Sequence, residues 1–251
     1  PGRSAPETGA QIRQEADDAF LGHYLEPVVT RILGEYRTSV ITDPPDGRVP
    51  ATRSDFQDFY ARRQAQGLSA TDGPEGQPLS GRCLIFGAAI PSLTPMMMNP
   101  NLQIVQNESY VVVMTEMIHD ARIIRLGKAH HDDGINRWMG DPVGHWEGDT
   151  LVVHSKHFRP EQSTSRMGFR VSEQFEVIEH YTLTSDETIH YRFTINDPTA
   201  YGVPISGERT LTRNPPEARL YGYECHEGNY SLAAILRGAR LSEVRAELGR
   251  D

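Results

Sequence analysis

The sequence is poor in several things, and each shortage closes off a class of protein. There are two cysteines in 251 residues, too few for a structural zinc site of four thiolates. No apolar run approaches the ~20 residues needed to cross a bilayer as a helix. Basic residues are in deficit, 25 Lys and Arg against 34 Asp and Glu for a net charge of −9. That balance argues against a partner with a phosphate backbone, which selects a basic face. Gly-rich phosphate loops, nucleophile elbows, CxxC pairs, HExxH spacing and internal repeats do not occur.

What is present suits one sizeable globular domain or two small ones, with 37% hydrophobic and 24% charged residues. The first residues, PGRSAPETGA, read as a flexible terminus left after a targeting segment was removed. Cys83 and Cys225 are either two buried thiols or a disulfide, which would close a long loop and imply an oxidising compartment.

Apolar spacing predicts helices over about 10–24 and 27–36, separated by Pro27, and a third capped by Ser54 with Phe56, Phe59 and Tyr60 on one face. Thr38–Thr42 reads as a short strand before the turn Asp43-Pro44-Pro45-Asp46-Gly47. Residues 67–81 are a polar loop, so residues 1–81 are taken as a helical extension packed on a unit formed by 82–251.

From residue 82 onward strands dominate the pattern. They are Cys83–Phe86, Leu102–Val105, Tyr110–Met114, Ile123–Leu126, Leu151–Val153, Phe169–Leu183, Thr188–Ile195, Glu208–Arg213 and Arg219–Glu224. Within 169–183 the inward face is read as Phe169, Val171, Phe175 and Val177, then, after a shift, Ile178 and Tyr181. Asn107-Glu108-Ser109 and Glu147-Gly148-Asp149 are hairpin turns. A helix is predicted from Asn229 to about Leu248. About nine or ten short strands at this spacing predict a mainly β fold, an antiparallel barrel or sandwich.

Titratable groups cluster at three places. Glu116, His119, Asp120 and Arg122 end the central strand pair: an imidazole among carboxylates and a guanidinium suits general acid–base work, or an Asp–Arg pair simply pins the hairpin. Glu224-Cys225-His226-Glu227-Gly228-Asn229-Tyr230 sits where strand becomes helix, as a cap or as a site built on His226, Glu227 and Tyr230. His119, His130, His131, His145, His154, His157 and His226 are numerous, but no ligand spacing links them, and no metal ligand or organic cofactor is assigned. Gly144-His145-Trp146 resembles the Gly-x-Trp entry of lipocalin barrels, or is a packed Trp near a turn. Met96–Met98, in a Pro-broken loop, fill the core or form an adaptable ligand wall.

Taken together, EMIHDARII (116–124), GHWEGDTLVV (144–153) and YECHEGNY (223–230) resemble a large family of exported bacterial proteins, over roughly residues 38–240. The resemblance implies export with a removed signal peptide, hence a periplasmic or secreted protein. It also implies a lipocalin-like (calycin-type) antiparallel barrel, and a relation to cofactor-free lyases or decarboxylases of lignin-derived aromatic dimers. The matched positions are His119, Asp120, Arg122, His145, His226, Glu227 and Tyr230. The chain departs from such relatives at Met96–Met98, where polar Asn is usual, which makes its pocket more apolar.

The expected function is therefore cofactor-independent lyase chemistry on a small aromatic carboxylate or phenol in a barrel mouth. His119 and His226, tuned by Asp120 and Glu227, would move a proton, and Arg122 would hold the anion. Glu116, His145, Trp146, Trp138, Tyr230 and Met97 would contact the substrate. The rivals are a non-catalytic binder of a small hydrophobic ligand and a metal-dependent hydrolase. The oligomeric state stays open, a homodimer included.

Overall fold

The structure, a computed structural model, describes residues 30–85, 101–162 and 169–249. Met96–Met98, the helix expected over 10–24, and Phe86 lie outside these residues.

The described residues open with a hairpin, β1 (Thr30–Ile32) and β2 (Glu35–Arg37), where a helix over 27–36 was expected. Leu33 and Gly34 both have positive φ, 48° and 91°. That pair makes the tight primed turn whose twist matches antiparallel strands, and β-branched Ile32 suits the pleat. Next comes β3 (Ile41–Asp43), then α1 (Phe59–Ala65). The cap of α1 is Asp58, whose carboxylate accepts from the Ala61 backbone N–H at 2.8 Å, and not Ser54.

Eight further strands follow: β4 (Leu102–Gln106), β5 (Tyr110–Thr115), β6 (Ala121–Leu126), β7 (Asp141–Glu147), β8 (Thr150–Lys156), β9 (Glu176–Ser185), β10 (Thr188–Asn196) and β11 (Ile205–Thr212). With β3 they form one nine-stranded sheet in the order β3-β11-β10-β9-β8-β7-β6-β5-β4, curled into a half-barrel. All neighbours are antiparallel except β6 and β7, which run parallel at Arg125↔Val143 and Leu126↔Gly144. A parallel pair needs a long connection, and the polar stretch 127–140 supplies it.

Alternation fixes the concave face. Val111 and Val113, Arg122 and Ile124, Leu151, Val153 and Ser155, Val177, Glu179 and Tyr181, and Tyr191, Phe193 and Ile195 are buried along β5, β6, β8, β9 and β10. Gly207 on β11 has to be small, because a Cβ there would lie 2.6 Å from Cε1 of Phe193 and 2.7 Å from the Val40 carbonyl oxygen.

Three expected strands are corrected. Cys83–Ile85 is a turn, with Cys83 at φ 54°. Arg219–Glu224 joins no ladder, because its amides find side-chain acceptors described below. The single long strand expected over 169–183 is a strand only from Glu176. After that segment, α2 (Ser231–Glu247) ends the described chain. Cys83 and Cys225 form a disulfide. Among the described residues no helix is long and apolar enough to cross a membrane.

Candidate functional site

Register places three hairpin tips at one end of the half-barrel. They are Asn107–Ser109, Gly148-Asp149 and Asp186-Glu187. The first is held by the Asn107 side chain, which accepts from the amides of Ser109 and Tyr110 at 2.9 and 2.8 Å. Between these tips a cavity of about 570 Å³ opens, lined by Ile104, Gln106, Val111, Val113, Trp146, Gly148, Asp149, Leu151, Tyr181, Leu183 and Ile189. Its size falls in the roughly 300–1,000 Å³ of small-molecule sites, and apolar walls with a few polar groups are what such sites need. Its titratable lining side chains are Asp149 and Tyr181.

Beneath the cavity the sheet encloses a charged network. Arg122 and Glu179 are fully buried and pair end-on, Nη1 to Oε1 at 2.9 Å and Nη2 to Oε2 at 2.5 Å. Arg122 Nη2 also donates to Ser155 Oγ at 3.1 Å. The Tyr181 and Tyr191 hydroxyls both donate to Glu179 Oε1, at 2.9 and 2.8 Å. Burial opposes charge on Arg122, but the adjoining Glu179 carboxylate outweighs it and raises the guanidinium pKa. Burial first, and then the Glu179 charge, push both phenols well above their ordinary value. Arg209 stands opposite Tyr191 in register. Its Nε is buried without a hydrogen-bond partner among the described residues, and burial lowers its pKa.

At the far end of β5 lies the Glu116–Asp120 corner. Ile118 and His119 have φ of 58° and 56°, a left-handed conformation that costs a β-branched residue roughly 1–3 kcal/mol. The turn is closed by the Thr115 amide to the Asp120 carbonyl at 2.9 Å and by Thr115 Oγ1 to the Met117 carbonyl at 3.1 Å. The segment after β11 docks here. The Tyr221 amide donates to Glu116 Oε1 at 3.2 Å, and the Tyr223 amide donates to His119 Nε2 at 2.9 Å. Asn101 Nδ2 donates to Glu116 Oε2 at 2.7 Å.

A third cluster occupies the convex side. Asp141 accepts from Arg125 Nη2 at 2.9 Å and from the His131 amide at 2.7 Å. It also meets the rings of His131 at 2.9 Å and His130 at 3.2 Å. Burial alone would raise its pKa, but the His131 amide and ring and Arg125 outweigh that and hold it far below the usual carboxylate range. His130 Nε2 faces His154 Nδ1 at 3.1 Å. Burial, despite the Asp141 contact, lowers the His130 pKa. No group of three or more His, Cys, Asp or Glu among the described residues is arranged to hold a metal ion.

The residues singled out in the sequence thus separate. Glu116 and His119 meet the 221–223 backbone, so the two motif regions do adjoin. Asp120 is buried beside them. Arg122 points into the interior and is occupied by Glu179. His226 and Glu227 lie on an exposed turn closed by the Glu227 amide to the Glu224 carbonyl at 3.0 Å, and Tyr230 is exposed. Trp138 lies under the Arg159 guanidinium, 4.3 Å from ring centroid to Cζ, and packs on Leu79 and Ile85. His145 faces Glu147 at 3.0 Å on the exposed side. Of all these, Trp146 lines the cavity. Met97 lies outside the described residues.

Glu179 and Asp141 escaped sequence reasoning, and Tyr181 and Tyr191 were read there as strand residues with no part in a polar network. The signal for Glu179 was present in unbroken alternation, Val177-x-Glu179-x-Tyr181, once an acid is allowed on an inward position. Family models, curated proteins and solved structures give no match to the chain.

Proposed function

We propose that the protein binds a small, largely apolar and aromatic molecule on the concave face of its half-barrel, in the manner of a lipocalin-like carrier working outside the cytoplasm. The observation that carries this reading is the cavity itself. Ile104, Val111, Val113, Leu151, Leu183 and Ile189 wall it, with Trp146 among them, while the expected acid–base residues stand elsewhere. Burying an apolar ligand there gains roughly 25 cal/mol per Å² removed from water. The register puts Arg209 one inward position below the Ile189–Leu211 pair, which suits a ligand carrying a carboxylate or phenolate at its deep end. The disulfide fits an oxidising compartment.

Trp146 supplies the assay. Aromatic carboxylates and phenols are titrated while tryptophan emission is followed, with Trp146→Phe to assign the signal. Saturable binding is expected, weakened at least tenfold in Ile189→Glu and unchanged in His226→Ala. Arg209→Gln is expected to weaken carboxylates more than their neutral amides. Absence of binding by the folded protein, or indifference to Ile189→Glu, rejects the reading.

The carbon–carbon lyase is the second reading, and one observation favours it. Tyr181 lines the cavity and holds its hydroxyl against Glu179, so a proton donor borders the ligand. Incubation of the bound carboxylate with assay for CO2 decides it: release lost in Tyr181→Phe supports turnover, and unchanged ligand leaves the protein a carrier.

A further inference from the structure

The two ends of the nine-stranded sheet are built differently. β3 at one end is three residues long and closes on Asp43 and Pro44. A short strand, a charge and a proline are devices that keep a sheet edge from pairing with another chain. β4 at the other end has none of them. It runs Leu-Gln-Ile-Val-Gln without a charge or a proline, and its ladder to β5 has no bulge. The Asn107 amide donates to the Tyr110 carbonyl, and the Glu116 amide to the Asn101 carbonyl, each at 2.9 Å. Those two pairs fix the phase of the ladder. By antiparallel alternation Gln103 and Val105 spend their backbone groups on β5, and Leu102, Ile104 and Gln106 turn theirs outward. Among the described residues nothing hydrogen-bonds to that outer side.

We propose that β4 is a homodimer interface, in which two copies pair this strand antiparallel about a two-fold axis through Ile104 and join their half-barrels into one continuous sheet. The occupant is a second copy because the outward groups complement themselves. With Ile104 opposite Ile104, each Leu102 faces a Gln106. All three outward positions of both strands are then paired, with about six backbone hydrogen bonds between the chains. Charge points the same way. Net charge keeps copies of a chain apart, and at −9 they meet with least repulsion at a strand that carries none. Because β3 is protected, each copy offers one such edge, and the assembly stops at two. Ile104 and Gln106 line the cavity, so the Ile104 and Leu102 of the second copy extend its wall. The interface stands whether or not the cavity holds a ligand.

Sedimentation velocity over a dilution series of untagged protein measures the mass. A dimer in exchange with monomer is expected, strengthened by added salt, which screens the repulsion between the two chains. Gln106→Pro removes one outward N–H from each chain and leaves the ladder to β5 whole. Val105→Lys places a charge beside the axis on a side chain that is 54% exposed. Each is expected to weaken the dimer at least tenfold, with melting curves verifying the fold. Ile104→Cys adds a free thiol, since Cys83 and Cys225 are bonded to each other. Oxidation is expected to link two chains there, because opposed residues of a bonded pair lie about 5.5 Å apart, within disulfide reach. Val112→Cys on β5 is expected to stay unlinked. A monomer at every concentration overturns the proposal and leaves the edge to some other chain. A dimer indifferent to both β4 variants, one that dissociates as salt rises, or linkage through Val112→Cys and not through Ile104→Cys also overturns it.

Discussion

Arg122 and Glu179, 57 residues apart in the chain, face each other with both terminal Nη nitrogens of the guanidinium on the two carboxylate oxygens and no exposed surface on either side chain. Two charges taken out of water are costly, and Ser155, Tyr181 and Tyr191 add hydrogen bonds to the pair, while Arg122 Nε has no hydrogen-bond partner among the described residues. Removing one partner leaves the other charged and alone. Arg122→Met is therefore expected to lower stability by about 3–5 kcal/mol. Adding Glu179→Gln, which removes the stranded charge and keeps an acceptor for the phenols, is expected to recover part of that loss. Urea unfolding of the single and double variants measures both; a double variant as unstable as the sum of the singles contradicts the account.

That pair also marks where sequence reading stopped. Several turns and the C-terminal helix were legible because their signals are local. Asn107 closes its own hairpin, Gly148 sits at φ 58° in the β7–β8 tip, and α2 starts within two residues of the expected point. The mainly β character was legible in the same way. Glu179 was not, because an acid at an inward position breaks the apolar alternation, and the reading shifted phase to Ile178. In the structure Ile178 is 43% exposed and Glu179 is 0% exposed. What licenses the acid is an arginine on another strand, which no local pattern reports. The 221–224 segment is a second instance: its amides bond to Glu116 and His119 side chains rather than to a strand, so strand-like composition ended in no ladder.

Acid sensitivity follows from groups held away from their ordinary protonation. Burial lowers the pKa of His130, and burial with the Arg192 charge lowers that of His180. The unfolded chain then binds more protons than the folded one below the ordinary value of 6.5. The stability these groups contribute is complete above that value and is lost as pH falls through their folded pKa values. Asp141, depressed further, adds a second loss below its ordinary 3.8. Urea midpoints in EDTA are expected to fall between about pH 7 and pH 5, with His130→Gln and His180→Gln each flattening part of that slope. A midpoint constant over that range contradicts it.

Gly207 tests the close approach of β11 to β10. An added methyl meets the Phe193 ring and the Val40 carbonyl, and neither is a flexible side-chain end. Gly207→Ala is expected to cost about 1–3 kcal/mol through overpacking. Gly202→Ala, whose added methyl would have nothing within 4 Å of it, is expected to leave the thermal midpoint within experimental error.

The disulfide makes the last prediction, because it anchors a segment that the sheet does not. Cys83 and Cys225 are separated by 142 positions, and in the chain-entropy picture closing such a loop stabilises the fold by ~5 kcal/mol. Yet the strands of the nine-stranded sheet run from Ile41 to Thr212, so their ladder does not pass through Cys225. What passes through it is the 221–225 stretch, whose amides hold Glu116 and His119. Reduction, or Cys83→Ser with Cys225→Ser, is therefore expected to lower the global unfolding midpoint. It is also expected to speed hydrogen exchange first at the Tyr221 and Tyr223 amides, while Tyr181 and Tyr191 in β9 and β10 stay protected until global unfolding. Freed from those amides, the left-handed Ile118-His119 turn loses part of its support, and the corner is expected to loosen with them. Equal acceleration at all four tyrosine amides would mean that the segment and the sheet unfold as one unit, and that the corner is held by the sheet alone.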